Sequence, residues 1–418
     1  MLVFDGVEYP DGRASEPRTL NLMQGSPPPS GQQVRFEDDQ FLQFPQIRWA
    51  LSHLRELVPT VNVWRGRAEG SRWTASPSEA QIDAMRFDAL DGESLSWAES
   101  LNRTYTDGVL ILHRGRPVYE RYFGALEAHR PHACFSITKS YAATLAATLI
   151  YEGVLDEHQV VAHYLPETKG TAFAQATLRH LLDMQVGIAG SEVYADPRAL
   201  IWDYFRAGGF RPRPADYRGP RNYYEYLLSV RQAGVHGQAV VYHTVNTEIL
   251  CWVMKRVTGV ALADMLSDRI WSRLACEEDG YLAVDSIGVA MGGAGLSATL
   301  RDLARFGEMM RCEGAAGGQQ VVPGAVVEDI ARGSDRGKFA LAGYKLLTGY
   351  SYRSMWWLAH DALGLYEGRG IHGQRLYIVP GAEMVIARFA SHPIAASAAN
   401  DPITLPSFRA AVRWIADR

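Results

Sequence analysis

Lysine is scarce in this sequence, which has lysines only at 139, 169, 255, 338 and 345 among its 42 basic residues. Acidic and basic residues nearly balance, the net charge is −4, and no stretch concentrates positive charge. Proteins that bind nucleic acid or an anionic membrane surface usually carry such a concentration. No apolar run approaches the ~18 residues of a membrane-spanning helix. The sequence therefore indicates a globular protein with neither a nucleic-acid nor a membrane partner.

Cysteine is scarce as well, and the cysteines at 134, 251, 276 and 312 show no Cys-x-x-Cys spacing. This pattern argues against a disulfide framework and favours free thiols in a reducing compartment. The first residues also lack the basic and apolar segments of a secretory signal, so we expect a cytoplasmic protein. No cluster has metal-ligand spacing, and we expect neither a metal nor an organic cofactor.

The sequence has no Gly-x-Ser-x-Gly motif, which argues against an α/β-hydrolase fold. A Gly-x-Gly-x-x-Ala pattern does occur at 293–298, and such a pattern can bind a dinucleotide. No clean apolar strand leads into it, and no later strand carries a ribose-binding acid. We interpret it as a turn before a helix capped near Ser297, with a nicotinamide enzyme as the alternative.

The most apolar helix of the sequence begins next to Ser136. Ser136 and Lys139 are three residues apart, so their side chains share one face of this helix. Burial lowers the pKa of a lysine at the entrance of an apolar helix, and the neutral amine can then activate the serine hydroxyl. Free N–H groups at the helix start can stabilise an oxyanion. The alternatives are that Ser136 is an ordinary helix cap and Lys139 a surface residue, or that Cys134 is the nucleophile.

A second candidate stretch begins at Tyr242, where a β-like segment enters a helix. A phenol near an amine can relay a proton between a serine hydroxyl and a leaving nitrogen. Asn246 stands at the same junction. The alternative is that Tyr242 is a half-buried aromatic residue and Asn246 a helix cap.

Strand signals lie towards both ends of the chain, as a hairpin at 107–123 and two late strands at 368–380 and 382–389. Helical signals dominate between them, and another helix is predicted at 80–102. The pattern predicts an α/β (α+β) fold in which both chain ends build one antiparallel sheet flanked by helices, with a mainly helical domain inserted. The expected domains are an N-terminal arm and helix at 1–80, a sheet domain at 81–165 plus 336–418, and a helical domain at 166–335.

In this order, Ser-Ile-Thr-Lys at 136–139, Tyr242 and His-Gly-Gln at 372–374 resemble the serine β-lactamase and penicillin-binding-protein superfamily. The resemblance covers most of residues 105–418. Within the superfamily the chain is most similar to the 6-aminohexanoate-dimer hydrolases, the nylon-oligomer branch that shares the fold of class C β-lactamases. The stretches that carry this similarity are 181–188, 192–197, 300–307 and 370–374.

The resemblance implies a role for each candidate residue. Ser136 would be the acylated nucleophile, Lys139 its base, and Tyr242 the group that passes a proton to the leaving group. Backbone N–H groups of Ser136 and Ile371 would form the oxyanion hole. The candidate substrate-binding residues are Tyr194, which would close over the substrate, Asn246 and His372.

Two departures from the superfamily pattern bear on the substrate. Thr244 stands where the Tyr-x-Asn motif has its asparagine, and Asn246 is the candidate replacement. The Lys-Thr-Gly motif is absent, and Ile371-His372-Gly373 stands in that neighbourhood. The loss of that lysine weakens any expectation of β-lactam carboxylate binding.

The sequence thus predicts a cofactor-free serine hydrolase that cleaves an amide or ester bond of a small acyl substrate through an acyl-enzyme on Ser136. It would resemble a 6-aminohexanoate-oligomer amidase or a carboxylesterase. The alternatives are a penicillin-binding carboxypeptidase or β-lactamase, and a catalytically silent binding protein on the same fold. The sequence leaves the oligomeric state open, and a homodimer is compatible with it.

Overall fold

The computed structural model of the protein describes residues 1–4, 6–67, 70, 73 and 79–418. Helices and strands are numbered separately in chain order. The α-helices of this described part are α1 (Ile47–Ala50), α2 (Glu79–Asp83), α3 (Trp97–Arg103), α4 (Ile137–Tyr151), α5 (Val161–Tyr164), α6 (Leu178–Leu182), α7 (Leu200–Ala207), α8 (Tyr223–Ser229), α9 (Val245–Thr258), α10 (Leu262–Arg269), α11 (Leu300–Arg311), α12 (Gly324–Arg332), α13 (Arg336–Ala340) and α14 (Asp401–Ala416). The β-strands are β1 (Leu2–Phe4), β2 (Val7–Tyr9), β3 (Thr60–Val63), β4 (Arg86–Asp88), β5 (Ser94–Ser96), β6 (Thr106–His113), β7 (Arg116–Tyr122), β8 (His132–Ala133), β9 (Gly280–Ala283), β10 (Leu296–Ala298), β11 (Ala315–Ala316), β12 (Gln319–Gln320), β13 (Ser351–Arg353), β14 (Trp356–Leu358), β15 (Tyr366–Gly370), β16 (Gln374–Val379) and β17 (Met384–Ala390).

A seven-stranded antiparallel sheet joins the early and late parts of the chain. Its strand order is β13-β14-β15-β16-β17-β6-β7. The early hairpin β6–β7 pairs with the late strands through β17, where Ile386 lies opposite Ile111. This topology confirms the predicted antiparallel sheet built from both ends of the chain.

Helices cover both faces of this sheet, which explains why β15, β16 and β17 are buried along their whole length. Along β6, Leu110 and Leu112 enter one hydrophobic core, while Val109 and Ile111 enter the other. Successive residues of a strand point to opposite faces, so both sets are buried. Helices α4 and α11 lie on the first face, and α3 and α14 lie on the second. The predicted α+β fold with a sheet flanked by helices is therefore confirmed.

A smaller sheet, with strand order β3-β9-β10-β8, positions the start of α4. Strand β8 pairs with β10, and Ala133 lies opposite Ser297 three residues before Ser136. Strand β3 comes from the N-terminal segment, yet it pairs with β9 so that Val61 lies opposite Leu282. The domain boundaries at 80, 165 and 335 stay a prediction.

The predicted helix at 80–102 is wrong. That region holds α2, the short hairpin β4–β5 and α3. Gly92 breaks the helical pattern with a φ of 87°, a conformation that glycine adopts readily. Ser96 then caps α3 and exchanges side-chain and backbone hydrogen bonds with Glu99.

Within the described part of the chain, no helix has both the length and the apolar character needed to span a lipid bilayer.

Candidate active site

Ser136 lies at the junction between β8 and α4. Beyond β8, the backbone N–H of Cys134 donates to the carbonyl of Leu296 at 2.8 Å, which anchors the chain just before the turn. Phe135 then adopts a left-handed φ of 44°. A non-glycine residue in this region is strained, and such strain is concentrated at functional sites. The turn leaves Ser136 immediately before the first residue of α4, with 7% of its surface exposed.

The Lys139 amine contacts the Ser136 hydroxyl, with Nζ 2.8 Å from Oγ. Nζ also donates to the carbonyl of Gly293 at 2.7 Å. The Lys139 side chain is fully buried, and burial lowers its pKa to about 8 although the charges of Glu192 and Glu248 act in the opposite direction. A fraction of the protein therefore holds a neutral amine near neutral pH. In that state Nζ can accept the proton of the serine hydroxyl.

Tyr242 completes a three-residue cluster with Ser136 and Lys139. Its side chain interacts with that of Ser136, and its ring centre lies 5.0 Å from Lys139 Nζ. Burial, followed by the charge of Glu192, raises the pKa of the phenol well above its usual value. The phenol therefore stays protonated and can donate to a leaving group. The structure brings together the three residues to which the sequence assigns nucleophile, base and proton donor.

An aromatic wall stands beside this cluster, defined by Tyr242, Tyr344, Tyr352 and Trp357. The rings of Tyr242 and Trp357 stack at 5.8 Å, and Tyr344 and Tyr352 meet Trp357 edge-on at 5.0 and 5.1 Å. Sequence reasoning missed this wall, because Tyr242 is distant in sequence from the other three residues, and Tyr352 faces Trp357 only through the pairing of β13 with β14.

The end of β15 lies against the turn that carries Ser136. A Cβ atom on Gly370 would lie 2.7 Å from the carbonyl oxygen of Cys134, so only glycine fits there. On the far side of Ile371, the His372 ring lies 5.6 Å from the Phe135 ring. Ile371 is thus held between two residues that both touch the Ser136 turn. The oxyanion hole formed by the backbone N–H groups of Ser136 and Ile371 stays a prediction.

Glu192 connects the loop that carries Tyr194 to the start of α9. Its carboxylate accepts the Thr244 backbone N–H at 2.5 Å and the Thr244 hydroxyl at 2.6 Å. The Tyr194 hydroxyl donates to the same carboxylate at 3.4 Å. A carboxylate at a helix N-terminus is stabilised by the free N–H groups and the helix dipole. Thr244, which stands at the asparagine position of the superfamily motif, therefore binds Glu192.

Asn246 is not joined to the cluster by any hydrogen bond among the described residues. Its side-chain N–H donates to the sulfur of Met184 at 3.3 Å, and its Oδ1 is buried without a partner in that part of the chain. His372 lies next to the Ser136 turn, but its Nδ1 is 2.7 Å from the backbone carbonyl of His392. Burial lowers the pKa of His372 to about 4, so it is neutral near neutral pH.

The Gly-rich pattern at 293–298 forms the predicted turn before a helix, with a short strand between them that is not predicted. Its last residues form strand β10, and the following helix begins at Leu300 with Thr299 as its cap. The helix predicted after the turn is present, and its cap, Thr299, lies two residues from the predicted position near Ser297. The Gly293 carbonyl accepts from Lys139, while the N–H groups of Gly292 and Gly293 donate to Glu248 at 3.1 and 2.7 Å. Sequence reasoning missed this contribution, since Gly293 and Lys139 are 154 residues apart.

The described residues contain no group of three or more His, Cys, Asp or Glu side chains that could hold a metal ion. Cys134, the alternative nucleophile, is fully buried, and burial raises the pKa of its thiol. The reactive thiolate is therefore disfavoured at this position.

Comparison with known proteins gives consistent results. Residues 99–404 match the family described as Beta-lactamase. The chain is 33% identical over 356 residues to the 6-aminohexanoate-dimer hydrolase of Paenarthrobacter ureafaciens, a match that covers 85% of this chain and 88% of the relative.

Solved structures agree with this assignment. The "Putative 6-aminohexanoate-dimer hydrolase from Bacillus anthracis" superposes with a TM-score of 0.84 at 29% identity and covers 91% of this chain and 97% of its own. A family VIII carboxylesterase shares the fold, with a TM-score of 0.59 at 17% identity over 83% of this chain and 100% of its own. The chain therefore belongs to the Beta-lactamase family and is a serine hydrolase of that family.

Proposed function

We propose that this hydrolase cleaves an amide or ester bond of a small acyl compound by forming an acyl-enzyme on Ser136. The observation that carries the proposal is the contact of 2.8 Å between the Lys139 amine and the Ser136 hydroxyl in a buried site. A neutral amine at that distance can take the hydroxyl proton as Oγ attacks the substrate carbonyl.

In the acylation step, Ser136 Oγ bonds to the carbonyl carbon and its proton moves to Lys139 Nζ. The carbonyl oxygen becomes an oxyanion, and we assign the backbone N–H groups of Ser136 and Ile371 as its donors. Tyr242, whose side chain interacts with that of Ser136, donates a proton to the leaving nitrogen or oxygen, and the bond to the carbonyl carbon then breaks. Lys139 returns its proton to the phenolate, which leaves an ester on Ser136.

Deacylation reverses these roles with water as the nucleophile. Water attacks the ester carbonyl and gives its proton to the neutral Lys139 amine, and the same N–H groups hold the second oxyanion. Collapse of this intermediate breaks the bond to Oγ, which takes a proton back. The products are the free acid and the original hydroxyl of Ser136.

The composition of the site argues against recognition of a β-lactam carboxylate. The aromatic wall offers ring faces and phenol groups, and the Lys-Thr-Gly lysine that would bind a β-lactam carboxylate is absent. His372 does not replace it, because burial lowers the pKa of its ring to about 4. By relationship, we propose 6-aminohexanoate oligomers as the first amides to test and short-chain esters as the alternative substrates.

The decisive experiment exposes the protein briefly to p-nitrophenyl butyrate and records both the intact mass and the release of p-nitrophenol. We expect a burst and one butyryl adduct, both absent in Ser136→Ala. Hydrolysis of the linear 6-aminohexanoate dimer and of a chromogenic cephalosporin is then compared under the same conditions. If wild type and Ser136→Ala stay unmodified and release product equally, the assignment of Ser136 fails and the binding-protein alternative replaces it.

Two further proposals concern the cellular location and the oligomeric state of the protein. All four cysteines are free, which supports a reducing, cytoplasmic location. A homodimer is the assembly to test first, and light scattering of the purified protein decides between one and two chains per particle.

A further inference from the structure

We propose that Glu248 is a positioning residue for Lys139, acting through the backbone of Gly292 and Gly293. This inference rests on the proposed function, in which Lys139 is the base. Glu248 belongs to α9 and touches neither Ser136 nor Tyr242 through a hydrogen bond among the described residues. Its effect on the reaction is therefore indirect.

The Glu248 carboxylate is buried and fully engaged by neutral donors. Oε1 accepts the Tyr204 hydroxyl at 2.5 Å and the Gly293 N–H at 2.7 Å, while Oε2 accepts the Gly292 N–H at 3.1 Å. Only 3% of the residue is exposed. A buried carboxylate without a directly paired cation is costly unless hydrogen bonds satisfy it, and these three donors do so. A carboxylate that is costly to bury and lies near a reactive lysine is expected to have a function there.

The Gly292–Gly293 turn transmits the position of Glu248 to Lys139. Gly293 donates its N–H to Glu248 and offers its carbonyl to Lys139 Nζ at 2.7 Å. Both glycines are required by space, since a Cβ atom would lie 2.4 Å from Cys251 Sγ at Gly292 and 2.4 Å from Thr244 Cγ2 at Gly293. The turn is therefore pressed against α9, and the carboxylate fixes where the Gly293 carbonyl points.

The charge of Glu248 acts on the base in addition to the geometry. Burial raises the pKa of Glu248 to about 7, whereas the hydrogen bonds from Tyr204, Gly293 and Gly292 and the charge of Lys139 lower it. In return, the charge of Glu248 raises the pKa of Lys139. The other ionisable groups that sense Glu248 are Tyr204 on α7, Tyr223 and Tyr224 on α8, and Cys251 on α9. Glu192 is the second carboxylate acting on Lys139.

Glu248→Gln tests the proposal, because it keeps the shape of the side chain and removes its charge. One of the three donors then loses its acceptor, and the Gly293 carbonyl is held less firmly. We expect kcat for p-nitrophenyl butyrate to fall about tenfold while KM changes less than about twofold, as for a residue that does not touch substrate. We also expect the acid limb of kcat/KM to move to lower pH by about half a unit or more, because Lys139 loses a nearby negative charge.

Controls separate this effect from a loss of folding. Glu328→Gln removes an exposed carboxylate on α12 and should leave both the limb and kcat unchanged. If Glu248→Gln does not fold, Tyr204→Phe decides the question. It removes one donor, raises the pKa of Glu248 and should move the limb in the same direction by a smaller amount.

The outcomes distinguish this proposal from the proposed function. If wild type is acylated at Ser136 but Glu248→Gln keeps both kcat and the acid limb of kcat/KM unchanged, the role of Glu248 alone is overturned. Where Glu248→Gln does not fold, the same result in Tyr204→Phe overturns it. Loss of kcat without any movement of the limb assigns Glu248 a structural role and also overturns the proposal. Absence of a Ser136 adduct in wild type overturns the proposed function itself.

Discussion

The Lys139 amine determines at which pH the serine can be activated. Burial lowers its pKa to about 8, so the fraction of neutral amine rises as the pH is raised through that value. We expect kcat/KM for p-nitrophenyl butyrate to rise with pH and to level off above about pH 8 to 9. Replacement of the amine by an apolar chain in Lys139→Met should lower kcat/KM by about 10²- to 10⁴-fold at every pH.

The matched comparison for this prediction uses two other variants. Lys139→Arg keeps a cation but cannot supply a neutral base, so it should be as inactive as Lys139→Met. Lys255→Met removes an exposed lysine from α9 and should retain both the activity and the acid limb. Activity of Lys139→Arg within tenfold of wild type would contradict the role of Lys139 as the base.

Individual residues show why some of the site could be predicted from sequence and some could not. Ser136 and Lys139 are three residues apart on one helix, so local geometry alone brings them together. Tyr242 is a candidate from its residue type, but its place beside Ser136 follows only from the resemblance, because it depends on how α9 packs against α4. Asn246 was predicted to bind substrate, but its side chain turns towards Met184, which lies 62 residues earlier. Contacts of that range depend on the complete fold.

The loop from Ser191 to Ala199 is attached to the start of α9 through Glu192, which makes its closure over the site testable. Thr244→Val removes the hydroxyl bond to Glu192 but keeps the side-chain shape and the backbone N–H. Loss of a hydrogen bond to a charged group costs about 1.5–3 kcal/mol. We expect KM to rise about threefold to tenfold, because the loop that carries Tyr194 is held less firmly. We also expect faster tryptic cleavage after Arg198, whose side chain is 91% exposed.

Thr258→Val is the control for the loop experiment. Thr258 lies at the other end of α9, where its hydroxyl donates to the Met254 carbonyl at 2.7 Å. This variant loses a threonine hydroxyl from the same helix without touching the loop, so KM and the cleavage rate should stay at wild-type values. Equal cleavage rates in Thr244→Val and Thr258→Val would show that the Glu192 contact does not hold the loop.

Secondary-structure elements were predictable where a local pattern specified them. The β6–β7 hairpin and α4 follow from β-rich runs around a turn and from a long apolar helix before Gly153. Strand β10 is not predicted from the sequence, because it depends on pairing with β8 and β9 on either side. The region 80–102 combines apolar residues at helical spacing with Gly92, and the glycine turn prevails over the periodicity.

At the scale of the whole molecule, the turn that carries Ser136 is packed against elements from distant parts of the chain. His392 follows β17, its ring lies 4.6 Å from Phe4 of β1 and 5.3 Å from Tyr105, and its carbonyl is 2.7 Å from His372 Nδ1. His372 in turn contacts Phe135 beside the nucleophile. These two buried histidines therefore link the N-terminal strand, the sheet and the site.

Acid should weaken this linkage. Burial lowers the pKa of His372 to about 4 and that of His392 to about 3, compared with the ordinary value of 6.5. Between pH 6.5 and those values the unfolded chain binds protons that the folded chain does not, so stability is lost as the pH falls through this window. Glu248 opposes the trend, because its raised pKa of about 7 lets the folded chain bind a proton first.

With two histidines against one glutamate, we expect the free energy of unfolding to fall by about 1–2 kcal/mol between pH 7 and pH 5, as measured by urea denaturation. His392→Gln keeps a hydrogen-bonding side chain that cannot gain a charge, so it should be less stable than wild type at pH 7 but lose less stability on acidification. His158→Gln removes a histidine whose side chain is 82% exposed and should keep the wild-type dependence. If the free energy of unfolding falls equally in His392→Gln and wild type between the two pH values, protonation of His392 does not cause the loss of stability in acid.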